Sequence, residues 1–164
     1  MKLYEMLYFQ IGEMQFCVDV NQVVTTVPLV ALQPIPEAPD YLEGLMNIHG
    51  ECVPVVDLVS RLNLSHQRTY SIDASIILCE VSGKRIGLIV DDIDGTGSVE
   101  QEDLQLQTFF GGRQSPLAGM VKSDRGLAEW LALDVILDID LSASGAHLGD
   151  DYQQVRNALS GDAA

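Results

Sequence analysis

Basic residues are scarce in this chain, which has nine Lys and Arg, 24 Asp and Glu, and a formal net charge of −15. Lys2 is the only basic residue before Arg61. Because nucleic-acid binding depends largely on cations that neutralise phosphates, this composition argues against a nucleic-acid partner. The same reasoning argues against direct binding to anionic lipid. The acidity fits either a simple role in solubility or partners that carry basic patches.

The chain also lacks long apolar runs and paired cysteines. No run approaches the roughly 20 residues of a membrane span, and the start of the chain has no signal-peptide core. We therefore expect a cytoplasmic protein with no direct membrane insertion. Cys17, Cys52 and Cys79 each lie in an apolar segment, which is typical of buried free thiols. His49 and Cys52 have ligand-like spacing, but no Cys-x-x-Cys or His-x-x-x-His pair supports a metal site.

Motifs that carry enzyme chemistry are absent or incomplete. The run Asp91–Gly95 resembles the start of a calcium loop, but Val90 then occupies the first ligand position, where an oxygen donor is needed. The run Asp94–Gly97 differs from the Asp-Thr-Gly of aspartic proteases by an inserted glycine. No Ser lies in a Gly-x-Ser-x-Gly motif, and no glycine-rich phosphate loop follows a predicted strand. The sequence therefore predicts no enzyme, no catalytic residue and no cofactor.

The chain does contain an internal repeat of β-hairpins. The segment Gly44–Leu58 reads as a strand, a glycine turn, a second strand and an Asp-Leu helix start, and Gly119–Leu137 follows the same order. Tyr8–Val20 and Ile77–Asp91 each read as an apolar strand, a glycine turn and a returning strand. We infer two similar all-β halves offset by roughly 70 to 75 residues, with chance similarity between hairpins as the alternative.

The length of 164 residues and the hydrophobic content of 47% suit one domain with a substantial core. The prolines of Pro34–Pro39 predict an extended, rigid connector. Surface loops are expected at residues 63–73 and at Gln105–Ser115. Strands are predicted at Leu7–Ile11, Gln15–Val20, Val23–Leu29, Ser75–Val81, Arg85–Val90 and Ile93–Val99.

The composition changes near residue 140, where Ser, Ala, Gly and Asp become frequent. We therefore divide the chain into one domain over residues 1–141 and a tail over residues 142–164. Tyr152, Val155 and Leu159 have helical spacing within the tail. The tail is thus either frayed or a short docked helix.

The repeated hairpin segment resembles the signature of CheW-like domains, the coupling proteins of bacterial chemosensory arrays. That signature reads Gly-h-x-Asn-x-Arg-Gly-x-h-h-Pro-h-h-Asp-Leu, where h is an apolar residue. The matching residues are Gly44, Asn47, Gly50, Pro54, Asp57 and Leu58. A second match, Gly87–Ile93, resembles another strand of the family, and the resemblance spans residues 3–141.

This resemblance implies a mostly β fold of two small five-stranded SH3-like β-barrel subdomains packed together, with a short helix after each signature strand. It implies a non-enzymatic adaptor that couples the cytoplasmic tips of chemoreceptors (methyl-accepting chemotaxis proteins) to the regulatory domain of a CheA-type histidine kinase. Receptors would dock in an apolar groove between the subdomains, and the kinase on an exposed face of the first.

Carried over by motif, two sets of residues would bind these partners, with plain core packing as the alternative for each apolar residue. The receptor groove would involve Val23, Val27, Leu45, Ile48 and Val90. The kinase face would involve Met46, Asn47, His49, Gly50 and Pro54.

Two residues depart from the family pattern. His49 stands where the signature has Arg, and Thr25 stands where the family strand often carries Glu. If those family residues pair, their joint replacement avoids an unpaired charge, so we expect the fold to survive and partner recognition to change. We predict a divergent coupling protein of a specialised chemosensory pathway, associated with membrane-bound receptor arrays. The alternatives are an assembly part or competitor that does not activate a kinase and, from another class, a small-molecule-binding or hydrolytic β-barrel.

Overall fold

A computed structural model describes residues 2–64, 70, 72–106, 116–124 and 126–136 of the chain. Strands dominate these residues, and the two helices among them are four residues long. The strands are β1 Leu3–Ile11, β2 Met14–Asp19, β3 Val23–Pro28, β4 Leu42–Ile48, β5 Glu51–Asp57, β6 Ser75–Val81, β7 Lys84–Val90, β8 Asp92–Glu100, β9 Leu104–Leu106, β10 Leu117–Ser123 and β11 Gly126–Leu131. The helices are α1 Leu58–Arg61 and α2 Leu133–Ile136, and 3₁₀ turns cover Val20–Gln22 and Gln101–Asp103. The tail and most of both predicted loops lie outside the described residues.

Hydrogen bonds arrange the strands into two sheets. Subdomain A has the strand order β8-β1-β2-β11-β10-β9, and subdomain B has the order β3-β6-β7-β5-β4. In subdomain A, β8 and β9 form one bent strand that the 3₁₀ turn Gln101–Asp103 interrupts, with β8 paired to β1 and β9 paired to β10. In subdomain B, the residues after β3 reach the far strand in the same way, through a bridge between Gln33 and Leu45 of β4. The predicted fold class is confirmed, because each subdomain has five strands once the bent strand is counted as one.

The internal repeat is present, but the two halves of the sequence exchange their opening hairpins. The hairpin β1–β2 belongs to the sheet that also contains β8 to β11, and β6–β7 belongs to the sheet that contains β3 to β5. The parallel contacts correspond as well: Val55 pairs with Gly87 in subdomain B, and Trp130 pairs with Cys17 in subdomain A. Each half of the sequence therefore completes the sheet of the other half.

Three apolar cores follow from this arrangement. The central core lies between the subdomains and receives side chains from both sheets, including Phe9, Phe16, Val56 and Leu88. The small core of subdomain A contains Met6, Tyr8, Cys17, Val99, Val121 and Ala128. The small core of subdomain B contains Met46, Val55, Ile76 and Ile89. Because successive residues of a strand point to opposite faces, each sheet contributes to the central core with one face and to its own small core with the other.

The helix starts of the two halves differ. Asp57 is fully buried and caps α1, since its side chain accepts a hydrogen bond of 3.1 Å from the Val59 N–H. In the second half Ala132 precedes α2, and Asp134 lies inside that helix rather than at its cap. The connector Pro34–Pro39 also differs from the expectation of an extended segment, because a turn with φ of 59° at Glu37 bends it.

Candidate functional site

The β4–β5 hairpin carries the exposed part of the predicted kinase face. Its loop consists of His49 and Gly50, with φ angles of 51° and 83°, the pattern of a type I′ turn. His is one of the few residues other than glycine that occupy this left-handed region with some frequency. The Asn47 side-chain oxygen accepts a hydrogen bond of 2.9 Å from the Gly50 N–H. Asn47 and Gly50 therefore shape the turn itself.

A second turn of the same type lies beside the first. Ser82 and Gly83 connect β6 to β7 with φ angles of 53° and 80°. Because β5 and β7 are parallel neighbours in the sheet, the turns that precede them lie at the same edge of subdomain B. We call residues Asn47–Glu51 and Val81–Arg85 the turn edge.

Arg85 connects three strands at the turn edge. Its Nη1 donates to Glu51 Oε2 at 3.0 Å, and its Nε donates to Glu80 Oε2 at 3.2 Å. Since β7 lies between β6 and β5, the guanidinium has one carboxylate on each side. The three side chains are between 35% and 52% exposed, so each ion pair contributes only about 0.2–1 kcal/mol to stability.

The predicted kinase-face residues divide by burial. Asn47, His49 and Gly50 are exposed in the turn. Met46 is buried in the small core of subdomain B, and Pro54 is also buried. Among the five predicted residues, the side chains accessible to a partner are therefore those of the turn, and their role in kinase binding stays a prediction.

The predicted groove residues also differ in burial and in the core that they contact. Leu45 and Val90 are buried in the central core, against which the half-buried Val23 packs. Val27 and Ile48 pack instead against the small core of subdomain B. Leu45 and Val90 thus have the core packing that was the stated alternative to partner contact, and their role in binding stays a prediction. Among the five predicted groove residues, the side chains that are partly exposed are those of Val23, Val27 and Ile48.

The two residues that depart from the family pattern lie on different sides of subdomain B, Thr25 in the outer strand β3 and His49 in the turn after the other outer strand, β4. Thr25 lies exposed in β3, where its hydroxyl donates to the Thr26 carbonyl at 3.5 Å. His49 follows β4, and its side chain has no hydrogen bond or ion pair with the residues that the structure describes. Neither residue leaves a buried charge without a partner, which agrees with a fold that tolerates both replacements.

Arg61 joins the ends of the two halves. Its Nη2 donates to the Val135 carbonyl at 3.0 Å, and its guanidinium lies 5.5 Å from the centre of the Tyr41 ring. This contact ties α1 to α2 across the subdomain boundary. Arg61 is thus a structural residue, and its partners could not be predicted because Val135 lies 74 positions away in the chain.

The two buried cysteines are structural. Burial raises the pKa of the Cys17 and Cys79 thiols to about 12, which keeps both protonated and unreactive at neutral pH. Cys52 is half-buried, whereas the sequence predicted a buried thiol. Within the described ranges, no group of three His, Cys, Asp or Glu residues is placed to hold a metal ion.

Two carboxylates with raised pKa values lie on subdomain A. A hydrogen bond with Glu102, followed by the charge of that residue, raises the pKa of Glu100, and burial raises the pKa of Glu129. Glu100 lines a cavity of about 390 Å³ together with Lys2 and Gln101. This cavity lies at the end of β8 rather than between the subdomains, and the cause of the Glu100 shift is a neighbouring acid rather than an apolar pocket. The arrangement does not support the hydrolytic alternative.

Comparison with known proteins identifies the family. The model of the CheW-like domain matches residues 5–140. The chain belongs to the CheW family. The chemotaxis protein CheW of Treponema pallidum is 29% identical over 137 residues, which cover 80% of this chain and 79% of that protein. The chemotaxis protein CheW of Thermotoga maritima is 27% identical over 138 residues, covering 84% and 90%. The crystal structure of the scaffolding protein TtCheW from Thermoanaerobacter tengcongensis has a TM-score of 0.77 at 25% identity, covering 85% of this chain and 95% of that one.

Membership in the CheW family confirms two predictions from the sequence. The resemblance read from the signature segment is correct, and the chain is not an enzyme, because CheW-family proteins are non-enzymatic adaptors. In the part of the chain that the structure describes, no helix is long and apolar enough to cross a membrane.

The sequence did not reveal the network of Glu51, Glu80 and Arg85. Glu51 and Arg85 are 34 positions apart and meet only because β5 and β7 pair in parallel. The one available signal was the pair Lys84–Arg85 directly after a glycine turn, since basic residues are rare in this chain.

Proposed function

We propose that this chain is a chemotaxis coupling adaptor that connects the cytoplasmic tips of chemoreceptors to the regulatory domain of a CheA-type histidine kinase. Membership in the CheW family over nearly the whole chain carries the proposal. The absence of converging catalytic groups among the described residues is compatible with it. We further propose a cytoplasmic location in receptor arrays.

The kinase would bind at the exposed turn residues Asn47, His49 and Gly50. A rigid turn suits recognition, because the Asn47–Gly50 hydrogen bond and the type I′ geometry fix the loop before binding. Met46 and Pro54 would support this loop from the core beneath it.

In place of the groove between the subdomains that the resemblance implies, we propose that the receptor binds along the outer side of subdomain B. Val27 and Ile48 are half-buried there, and Val24 of β3 is 45% exposed. Such partly exposed apolar side chains with polar neighbours such as Thr25 and Thr26 are typical of protein interfaces. Leu45 and Val90 would act through the packing of the core that holds this surface in place.

The replacements at His49 and Thr25 support a specialised pathway. An imidazole lacks the bidentate fork of a guanidinium, so a partner that pairs with Arg in the family signature would bind His49 differently. We propose that the cognate kinase or receptor differs at the corresponding position.

Binding of the purified chain to two separate partners tests this function. The partners are the regulatory domain of the CheA-type kinase and a cytoplasmic receptor fragment, both from the same organism, with a standard receptor–kinase pair as comparison. We expect micromolar or tighter binding to the cognate pair and weaker binding to the standard pair. No binding to either cognate partner would contradict the adaptor role, and equal binding to both pairs would contradict the specialisation.

Kinase autophosphorylation distinguishes the adaptor from the alternative of an assembly part or competitor. An adaptor raises the kinase activity in a mixture of receptor fragment, kinase and chain. A competitor leaves the activity unchanged or lowers the activation produced by an ordinary CheW protein added to the same mixture.

A further inference from the structure

Arg85 is the most firmly oriented cationic group at the turn edge. A guanidinium has five N–H donors in one plane. In Arg85 the Nε–H and one Nη1–H are bound by Glu80 and Glu51 on the two flanking strands. The remaining Nη1 and Nη2 hydrogens donate to none of the described residues. Two charged acceptors therefore fix the plane of the guanidinium and leave one side of it available.

The available side lies next to the proposed kinase face. Strand alternation places Arg85 on the same face of β7 as Ile89, which belongs to the small core of subdomain B. Glu51 is the first residue after the His49–Gly50 turn, and it pairs across the hairpin with the half-buried Ile48. Arg85 therefore lies over the end of this small core, one strand away from the turn.

The charge distribution makes this location unusual. The basic residues in the described part of the chain are Lys2, Arg61, Lys84, Arg85 and Lys122. Two of them are adjacent at the turn edge, where their charges balance those of Glu51 and Glu80. Because the whole chain carries a net charge of −15, a partner surface rich in oxygen acceptors meets less repulsion here than elsewhere.

We propose that Arg85 is a specificity-determining residue of this adaptor. Its free N–H groups donate to an oxygen acceptor, either a carboxylate or a backbone carbonyl, on the kinase regulatory domain. His49 stands where the family signature has Arg. Arg85 thus provides a guanidinium from β7, beside the turn that lacks this Arg. This inference rests on the proposed function, since it takes the kinase domain as the partner at the turn edge.

Titration calorimetry of the full chain with the purified regulatory domain tests the proposal. Arg85→Gln removes the charge and the fork, Arg85→Lys keeps the charge alone, and Lys122→Gln is the matched loss of one charge on subdomain A. We expect Arg85→Gln to weaken binding by about tenfold or more, which corresponds to about 1.4 kcal/mol. We expect an intermediate loss for Arg85→Lys, because an ammonium cannot reproduce the fork, and no change for Lys122→Gln. Thermal unfolding of each variant shows that the fold is retained.

Salt dependence separates the two kinds of acceptor. If the acceptor is a carboxylate, the difference in affinity between the wild type and Arg85→Gln shrinks as the salt concentration rises. If the acceptor is a backbone carbonyl, most of this difference remains at high salt. Wild-type affinity in Arg85→Gln, or an equal loss in Lys122→Gln, would overturn the role of Arg85 while leaving the adaptor function intact. Failure of the wild-type chain to bind the regulatory domain would overturn both proposals.

Discussion

At the scale of single residues, the φ angles of the loops at the turn edge decide which side chains they accept. His49 and Ser82 lie in the left-handed region, with φ of 51° and 53°. That region costs about 1–2 kcal/mol for an ordinary L-residue and more for a β-branched one, whereas Asn and Gly enter it readily. The identity of residue 49 is therefore limited by the backbone as well as by the partner.

The first prediction compares His49→Asn with His49→Val. We expect the free energy of unfolding to stay within about 0.5 kcal/mol for Asn, and to fall by about 1–2 kcal/mol for Val, because Val is strained at positive φ. Urea unfolding followed by circular dichroism measures both values. Equal stability of the two variants would contradict the type I′ geometry.

A second prediction concerns the helix caps of the two halves. Asp57→Ala should lower the free energy of unfolding by about 1–2 kcal/mol, because the buried Val59 N–H loses its acceptor. The matched change, Ala132→Asp, introduces a capping side chain before α2 and should stay within about 0.5 kcal/mol of the wild type. Chemical denaturation of the two variants provides the comparison, and a wild-type stability for Asp57→Ala would show that the cap is dispensable.

At the scale of elements, strands β5, β6 and β7 of subdomain B present one face to the central core and the other to the small core, whereas most residues of β3 are exposed. This separates residues that support a binding surface from residues that form it. Val90 is fully buried in the central core, whereas Val24 of β3 is 45% exposed.

The third prediction uses this contrast. Val90→Asp should destabilise the protein by about 3–5 kcal/mol, because it buries an uncompensated charge. Val24→Asp should cost less than about 1 kcal/mol and should weaken binding of the receptor fragment, since this part of β3 is the proposed receptor surface. Thermal melting and a binding assay on both variants test the assignment. A stable Val90→Asp protein that has lost receptor binding would instead place Val90 in the interface.

Much of the fold could be predicted from local sequence patterns, and there is a physical reason for each feature that was not predicted. Apolar runs and glycine turns located the strands and the repeat, since these signals are local. The exchange of hairpins was not predicted, because similarity between halves shows which segments correspond but not which sheet each joins. Asp134 appeared equivalent to Asp57 in the sequence, yet Ala132 precedes α2 in the structure. The Arg85 network depends on the pairing of β5 with β7, which no local pattern reports.

At the scale of the whole molecule, the exchanged hairpins make the two halves of the sequence interdependent. In subdomain B, β6 and β7 lie between β3 and β5 in the strand order. In subdomain A, the hairpin β1–β2 occupies the same place between β8 and β11. Each half alone would therefore lack the middle strands of its sheet and much of the central core.

The fourth prediction follows from this dependence. Fragments 1–70 and 71–164 should each lack a cooperative unfolding transition, and an equimolar mixture should recover the β-sheet circular dichroism spectrum and the transition. The matched control is the mixture of either fragment with the intact chain, which should show no gain. Cooperative folding of one fragment by itself would contradict the interdependence of the halves.

If one copy of this chain connects a receptor to a kinase, the kinase should reach receptor-bearing vesicles only through the chain, and co-sedimentation measures this. Vesicles that contain the cognate receptor are mixed with the CheA-type kinase, with and without the chain, and the kinase in the pellet is quantified. We expect the kinase to sediment with the vesicles when the chain is present and to remain in the supernatant when it is absent. Two results would contradict the coupling role. In one, the chain sediments with the vesicles but the kinase stays in the supernatant; in the other, the same amount of kinase sediments with and without the chain.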